Sequence, residues 1–503
     1  MNQLTETATR GGGSSPAPDL SPRKGIRAWA ASRRWYLALA AVAVCYSAVQ
    51  LMVTIRVGLG WDESIYVSQV TPGIPPAWFS APRARGVPLL VAPVTVFTSS
   101  VIAIRVYLSL LSGLGLFLAY APWVRLRPGA AVPAAAALFA GLWTTLFYGS
   151  EAMPNIWVAF CAVGGVALFC QTKRKGALAG LAIAFAIASL VRPTDASWLA
   201  LPLVVYGLVT RRFRQVGAIV VGLVVGWGEW LVEAALSYGG PLTRLSAAGA
   251  KNEAGLHFSL GEHLRALDGP VLCRFGHPCG DIPLGHVAWF AAIPVLAAVG
   301  LWAVRKPARR RPLLIATASG TALALSYIVT IGYAAPRFLL PAYALLALPV
   351  ACGLASVARV RVGRVLVAAA MLAFFVLQGS TLLQRVDIEG AARQPDSLAA
   401  EALKGLGISR PCFLYGHAAI QVGYLSGCGM VGITTNYGGY NLPSPIDHAL
   451  VRGDWVGVLS NKKDTPAGFL ASWRRVPLIT TATEQWYLYR PPSALAPKSP
   501  RHR

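Results

Sequence analysis

The sequence predicts a polytopic α-helical membrane protein of about eleven spans, with its N-terminus inside, its C-terminus outside and a small C-terminal α/β domain on the outer side. Three observations carry this. Of 503 residues, 55% are hydrophobic and 13% charged, and the mean hydropathy is +0.54; soluble domains carry roughly 25% charged residues. Apolar runs close to the length a bilayer requires recur up to residue 385. The short loops between them fall into two classes by charge. A net charge of +25 would point to nucleic acid in a soluble protein, but here basic residues gather without acids in alternate short loops, which orients a membrane protein and implies no nucleic-acid partner.

Residues 1–22 are rich in Gly, Ser, Thr and Pro and read as disordered. With the basic patch Arg23, Lys24, Arg27, Arg33 and Arg34 they form an expected cytoplasmic tail over 1–34. The apolar run from Trp35 to Ile55 has the length of a span and exceeds a signal peptide's apolar region. It opens a transmembrane domain expected over 35–385. An outer loop over 56–104 follows, in which Pro88 and Pro93 interrupt the apolar stretch Val87 to Ile104, so that stretch is expected to lie along the outer interface. Further spans are expected near 105–123, 131–148, 152–170, 176–191, 196–210, 215–236, 286–304, 312–332, 338–357 and 364–384, with a long outer loop at 237–285.

Charge supports this assignment. The loops placed inside hold Arg125 and Arg127; Lys173, Arg174 and Lys175; Arg211, Arg212 and Arg214; Arg305, Lys306 and Arg309 to Arg311; Arg359, Arg361 and Arg364, with no acid among them. Apart from Glu6 and Asp19 in the tail, every acid falls outside or within a span. This is the positive-inside pattern over short loops, and counting 87–104 as a span would destroy it. The plasma membrane is the expected location, with the outward groups extracytoplasmic.

The cysteines fit the same division. Cys45, Cys161, Cys170 and Cys352 sit in apolar spans, where thiols act as small hydrophobes. Cys273 with Cys279, and Cys412 with Cys428, are outside and read as disulfides. Zinc is the competing reading, with His277 and His417 nearby, although neither pair has the CxxC spacing of a structural zinc site.

Residues 386–503 differ in kind. Strands are expected at 411–415, 456–459 and 485–489, with helices at 418–425 and 467–474, which describes a small extracytoplasmic α/β domain. No Gly-rich phosphate loop, metalloprotease helix or Gly-x-Ser-x-Gly elbow occurs, which argues against nucleotide-driven chemistry.

The chemistry therefore rests on the outer surface. Asp62 and Glu63 follow the first span, and adjacent carboxylates beside hydrocarbon are costly. Arg83, Arg85, Glu151, Arg192 and Arg337 face the same way in this topology. Arginines can grip a phosphate in a fixed fork, and a carboxylate can take the proton of an attacking hydroxyl. A polyprenyl-phosphate sugar would need such a set, since its phosphate is a ready leaving group. Bland readings stand beside the sharp ones. Glu63 serves equally as a solvated loop acid, Glu151 as a helix N-terminal acid, Arg192 as a local partner of Asp195, and Arg337 as a snorkelling helix-end cation. Glu229 and Glu233 share one helix face at i, i+4 spacing.

The acidic pair, the following Tyr66, the Pro/Arg-rich segment ending in Gly86-Val87-Pro88-Leu89-Leu90, the Ile104-Arg105-Val106 that opens the next span and Pro336-Arg337-Phe338-Leu339-Leu340-Pro341 together resemble GT-C fold glycosyltransferases. The likeness is to the protein mannosyltransferase and aminoarabinose transferase branch, in layout over residues 35–385. It implies a glycosyltransferase that moves a hexosyl or pentosyl group from a polyprenyl-phosphate donor to a glycan, lipid or protein acceptor at the outer face. By the resemblance Asp62 is the catalytic acid, Glu63 orients it or binds a metal, and Glu151 is a second acid. Arg337 takes the lipid phosphate; Arg83, Arg85, Arg192 and Tyr66 are further substrate-binding candidates. No cofactor is required, and a divalent metal remains open. The chain departs from the branch in having Arg85-Gly86-Val87-Pro88 where His-Pro-Pro or Lys-Pro-Pro would stand. The rival from another class, a transporter or flippase of lipid-linked glycans, predicts internal repeats and broken helices with polar groups near the bilayer midplane.

Overall fold

The computed structural model describes residues 22–171, 174–276, 279–408, 410–433, 439–464, 468–481 and 484–492. Of the disordered stretch expected over 1–22, residues 1–21 lie outside the described residues, as does His277, and Pro22 opens a helix. The helices in chain order are α1 (Pro22–Val53), α2 (Trp61–Ser68), α3 (Gly86–Thr95), α4 (Val101–Leu126), α5 (Ala131–Ala140), α6 (Trp143–Gly149), α7 (Pro154–Cys170), α8 (Ala177–Val191), α9 (Pro193–Val209) and α10 (Phe213–Ser237). They continue with α11 (Pro241–Lys251), α12 (Leu260–Arg265), α13 (Leu284–Ala303), α14 (Pro307–Thr330), α15 (Leu340–Val357), α16 (Arg361–Gly405), α17 (Ala419–Ser426) and α18 (Ser444–Arg452).

Every apolar run expected to span is helical, and α3 is the short helix expected beside the interface. Length separates the runs. Among the described residues, seven helical segments are long and apolar enough to cross a membrane, or eight if α5 and α6, bent by 73° at Gly141 and Leu142, count as one span. The expected eleven thus include three shorter helices, α7, α8 and α9, of 17, 15 and 17 residues. Burial explains how α7 can be short. Nearly all of its side chains are buried against neighbouring helices, so protein rather than lipid satisfies much of its surroundings.

Backbone chemistry sets the breaks. A residue ahead of proline is pushed out of the helical region; Arg192 is extended, so α8 ends at Val191 and α9 opens on Pro193. Small residues let the spans close up. A Cβ on Gly300 of α13 would stand 2.0 Å from the Pro349 carbonyl oxygen of α15, and one on Gly353 would stand 2.2 Å from that of Leu296.

Two features shape the end of the bundle expected to face outward. The strands β1 (Cys273–Arg274) and β2 (Tyr333–Ala334) pair antiparallel and pin the long loop to the start of the 3-10 turn Pro336–Leu339. The second is α16, whose 45 residues make a rod of about 68 Å, roughly twice a hydrocarbon core. The boundary expected at 385 falls inside this helix, which continues unbroken to Gly405. Its far half carries Glu389, Arg393 and Asp396 out to the C-terminal sheet.

That sheet comprises β3 (Cys412–Gly416), β4 (Gly429–Gly432), β5 (Trp455–Asn461), β6 (Arg474–Thr480) and β7 (Gln485–Arg490), in the order β4-β3-β5-β7-β6. The first three are parallel, while β7 runs antiparallel to both β5 and β6. One face packs on the end of α16 and on α17, the other on α18 and a 3-10 turn at Gly468–Ser472. The helix expected over 467–474 is corrected: that turn ends at Ser472, and Arg474 already begins an edge strand paired to β7. Pro477 belongs at such an edge, where no ladder donor is needed. Both expected disulfides are present, Cys273–Cys279 and Cys412–Cys428, with Cα separations of 5.4 and 4.8 Å. The sheet domain is seated on the bundle through Ile420, Tyr424 and Met430, which join the main apolar core.

Candidate active site

A cavity of about 670 Å³ lies where α2, the α6–α7 connection, the start of α9, the 3-10 turn before α15, the outer half of α16 and the sheet domain converge. Its walls include Asp62, Glu63, Tyr66, Arg83, Glu151, Arg192 and Arg337. Seven of the eight residues singled out from sequence thus come together from segments far apart in the chain. The eighth, Arg85, does not. It donates to Glu233 and, at 2.8 Å, to Gln69 Oε1, and its guanidinium stacks 4.1 Å from the Phe79 ring. Arg244, wholly buried, holds the other Glu233 oxygen at 2.8 Å.

Asp62 and Glu63 occupy the first turn of α2, where the helix dipole favours negative charge. Their surroundings differ. The Asp62 side chain is 36% exposed, forms an ion pair with Arg83 and accepts from Arg337 Nη2 at 3.3 Å. Burial pushes its carboxyl up, but the charges of Arg83 and Arg337 outweigh burial and hold it below the usual carboxylate range. Asp62 is therefore ionised and reachable from the cavity.

Glu63 is 2% exposed and faces Arg105, which is 0% exposed, in a bidentate pair of 2.5 and 2.8 Å. Arg105 spends its remaining donors on the carbonyls of Val57, Gly58 and Ser150. The carboxylate also accepts from the Gly60 amide at 2.9 Å, the Ala152 amide at 2.8 Å and Arg393 Nη1 at 3.3 Å. Burial acts to raise this carboxyl, and Arg105 overrides it to a net lowering. These contacts tie α1's exit, α2, α4 and the α6–α7 connection to one carboxylate. Arg393 extends the network to Glu151 Oε1 at 2.8 Å and Glu389 Oε2 at 3.1 Å. For Glu151, burial first and the charge of Glu63 second push the carboxyl up to about 7, against the pull of Arg393.

Cations dominate the other side. Arg337 lies beside the Tyr148 and Phe338 rings, 5.9 and 5.5 Å from their centroids. Arg192 pairs with Asp195 at 3.1 Å, as the bland reading expects, while also lining the cavity. The hydroxyl of Tyr327 donates to that same Asp195. Lys251 and Arg274, from the long segment between α10 and α13, complete the set and were not singled out from sequence. Among the described residues no three His, Cys, Asp or Glu side chains gather as a metal would need, and both oxygens of Glu63 are already occupied by arginine and amide donors.

The helical bundle with its C-terminal sheet domain has the GT-C-like fold expected from the sequence, and its likeness to solved structures shows this. It superposes on ArnT from Cupriavidus metallidurans bound to undecaprenyl phosphate with a TM-score of 0.64 at 15% identity, over 92% of this chain and 99% of that one. The apo state of the same protein gives 0.60 at 15% identity, over 93% and 99%. The Archaeoglobus fulgidus oligosaccharyltransferase in complex with Zn and sulfate gives 0.50 at 13% identity, over 89% and 73%. At these identities the shared property is the fold. Neither a protein-family model nor a curated protein sequence matches the chain.

Proposed function

We propose that the protein is an integral membrane glycosyltransferase that moves a sugar from a polyprenyl-phosphate donor to an acceptor at the extracytoplasmic face of the plasma membrane. The observation that carries this is Asp62, a partly open, ionised carboxylate held in a large cavity between two guanidinium groups suited to phosphate. ArnT, which shares the fold, binds undecaprenyl phosphate.

In this reading the donor's phosphate enters between Arg337 and Arg83, with Arg192, Lys251 and Arg274 adding positive potential. The acceptor oxygen forms a bond to the anomeric carbon as that carbon's bond to the phosphate oxygen breaks. The electron pair leaves on the lipid phosphate, and the acceptor's proton passes to Asp62. Phosphate binding helps the base: drawing Arg337 and Arg83 away from Asp62 removes the charges that hold its carboxyl low, moving it toward the range a general base needs. An apolar cavity of about 580 Å³ among α5, α13, α15 and α16 offers room for a polyprenyl chain within the membrane. A flippase would instead need polar groups near the midplane, whereas the arginines and acids here collect at one end of the bundle.

The test is sugar release and transfer by the full chain in proteoliposomes, supplied in turn with undecaprenyl- and decaprenyl-phosphate hexoses and pentoses. Arg337→Ala is expected to raise donor KM at least tenfold. Lipid-linked sugar moved across the bilayer without any transfer would refute the proposal in favour of the flippase.

A further inference from the structure

The cavity has a second set of lining residues that donor binding and proton transfer do not use. It comes from the outer half of α16 and from the sheet domain, and includes Asp396 and Gln421 of α17. Asp396 is 5% exposed, yet makes no hydrogen bond or ion pair with any described residue. Burial pushes this carboxyl up to about 7, against the charge of Arg393, so it faces the cavity close to its neutral form, whereas Arg105 holds Glu63 low and Glu151 is paired to Arg393. Gln421 lines the same space, and its carboxamide can both donate and accept. A carboxyl near neutrality beside a carboxamide suits a ligand of uncharged hydroxyl groups.

The charge around Asp396 narrows the ligand further. Arg393, one helical turn before it, contributes positive charge at Asp396, which disfavours an ammonium ligand and leaves neutral hydroxyl groups. Resting on the glycosyltransferase reading, we infer that Asp396 and Gln421 bind hydroxyls of a glycan acceptor, so that the C-terminal domain and the α16 extension select the acceptor while the membrane-side arginines hold the donor. The structure explains how that wall is fixed in place. A Cβ on Gly432 of β4 would stand 2.1 Å from the ring of Trp61, next to Asp62, so the sheet domain rests directly on α2.

The experiment measures binding rather than turnover, by tryptophan fluorescence of the full chain in nanodiscs, since Trp61 and Trp486 line the cavity. The probes are octyl α-mannoside, octyl α-arabinofuranoside, octylamine and undecaprenyl phosphate. Asp396→Ala and Gln421→Ala are expected to weaken octyl glycoside binding at least tenfold and leave undecaprenyl phosphate binding unchanged. Asp396→Ala is also expected to raise Tm at pH 7 and above, where the folded protein must hold that buried carboxyl ionised, so loss of folding cannot account for the result. Equal glycoside binding by wild type and both variants, no glycoside binding by wild type, or preference for octylamine would overturn the inference. Failure of undecaprenyl phosphate to bind wild type, with glycoside binding still dependent on Asp396, would instead strike the donor reading.

Discussion

Two acid–arginine clusters sit side by side at one end of the bundle and are built from the same residue types. In one, Glu63 meets Arg105, Arg393 and two backbone amides and has 2% of its side chain exposed. In the other, Asp62 meets Arg83 and Arg337 and has 36% exposed. Adjacent carboxylates on one short helix point into different surroundings because successive helical positions lie about 100° apart. The difference teaches that ion pairing alone does not mark a working group. The sealed cluster fastens segments together, whereas the open one keeps a lone-pair-bearing oxygen within reach of a ligand.

The clearest way to break this comparison is at Asp62. Asp62→Asn is expected to lower transfer by about 10²- to 10⁴-fold, the usual worth of a general base, with Tm little changed. In the sealed cluster the effect moves to stability. Arg105→Ala leaves Glu63 buried without its main partner and is expected to cost about 3–5 kcal/mol, read as a fall in Tm and in yield of folded protein from membranes. A smaller effect separates the two arginines that sequence treats alike: Arg85→Ala is expected to leave donor KM within twofold of wild type while lowering Tm, because Arg85 is committed to Glu233 and Gln69.

The smallest effect is a pH slope at the seam between the clusters. Glu151 is raised from 4.5 to about 7, so the folded protein keeps a proton that the unfolded chain has lost. Between those two values this group makes stability fall as pH rises. Glu151→Gln is expected to flatten that part of a Tm-against-pH curve, and an unchanged slope would remove Glu151 from the network's electrostatics.

Much of this layout was legible in the sequence, and the limits are physical. Asp62, Glu151, Arg192 and Arg337 flank apolar runs, so charge alternation alone brought them to one side. Apart from Asp195, three residues after Arg192, their partners were hidden because they lie far away in sequence. Arg105 stood in plain view as a lone arginine near the start of an apolar run, where an unpaired charge is costly, and that cost was the available signal. Arg393 and Glu389 stand at i, i+4 spacing, but the helix that carries them reads as a link between domains until α16 is seen to continue through it. Hydropathy registers apolarity and not whether protein or lipid satisfies it, so it did not set the heavily buried α7 apart from the other expected spans. In the sheet domain, β4 and α18 gave weak signals: four residues with two glycines, and a nine-residue helix.

The most direct test compares Asp62→Asn with Glu63→Gln in one preparation, measuring Tm and sugar transfer from a polyprenyl-phosphate donor together. The expected result is a split: Asp62→Asn keeps Tm and loses transfer, while Glu63→Gln lowers Tm and loses transfer only in proportion to the folded protein lost. Full transfer by Asp62→Asn, or loss of transfer in Glu63→Gln at unchanged Tm, would contradict the division of roles between the two carboxylates.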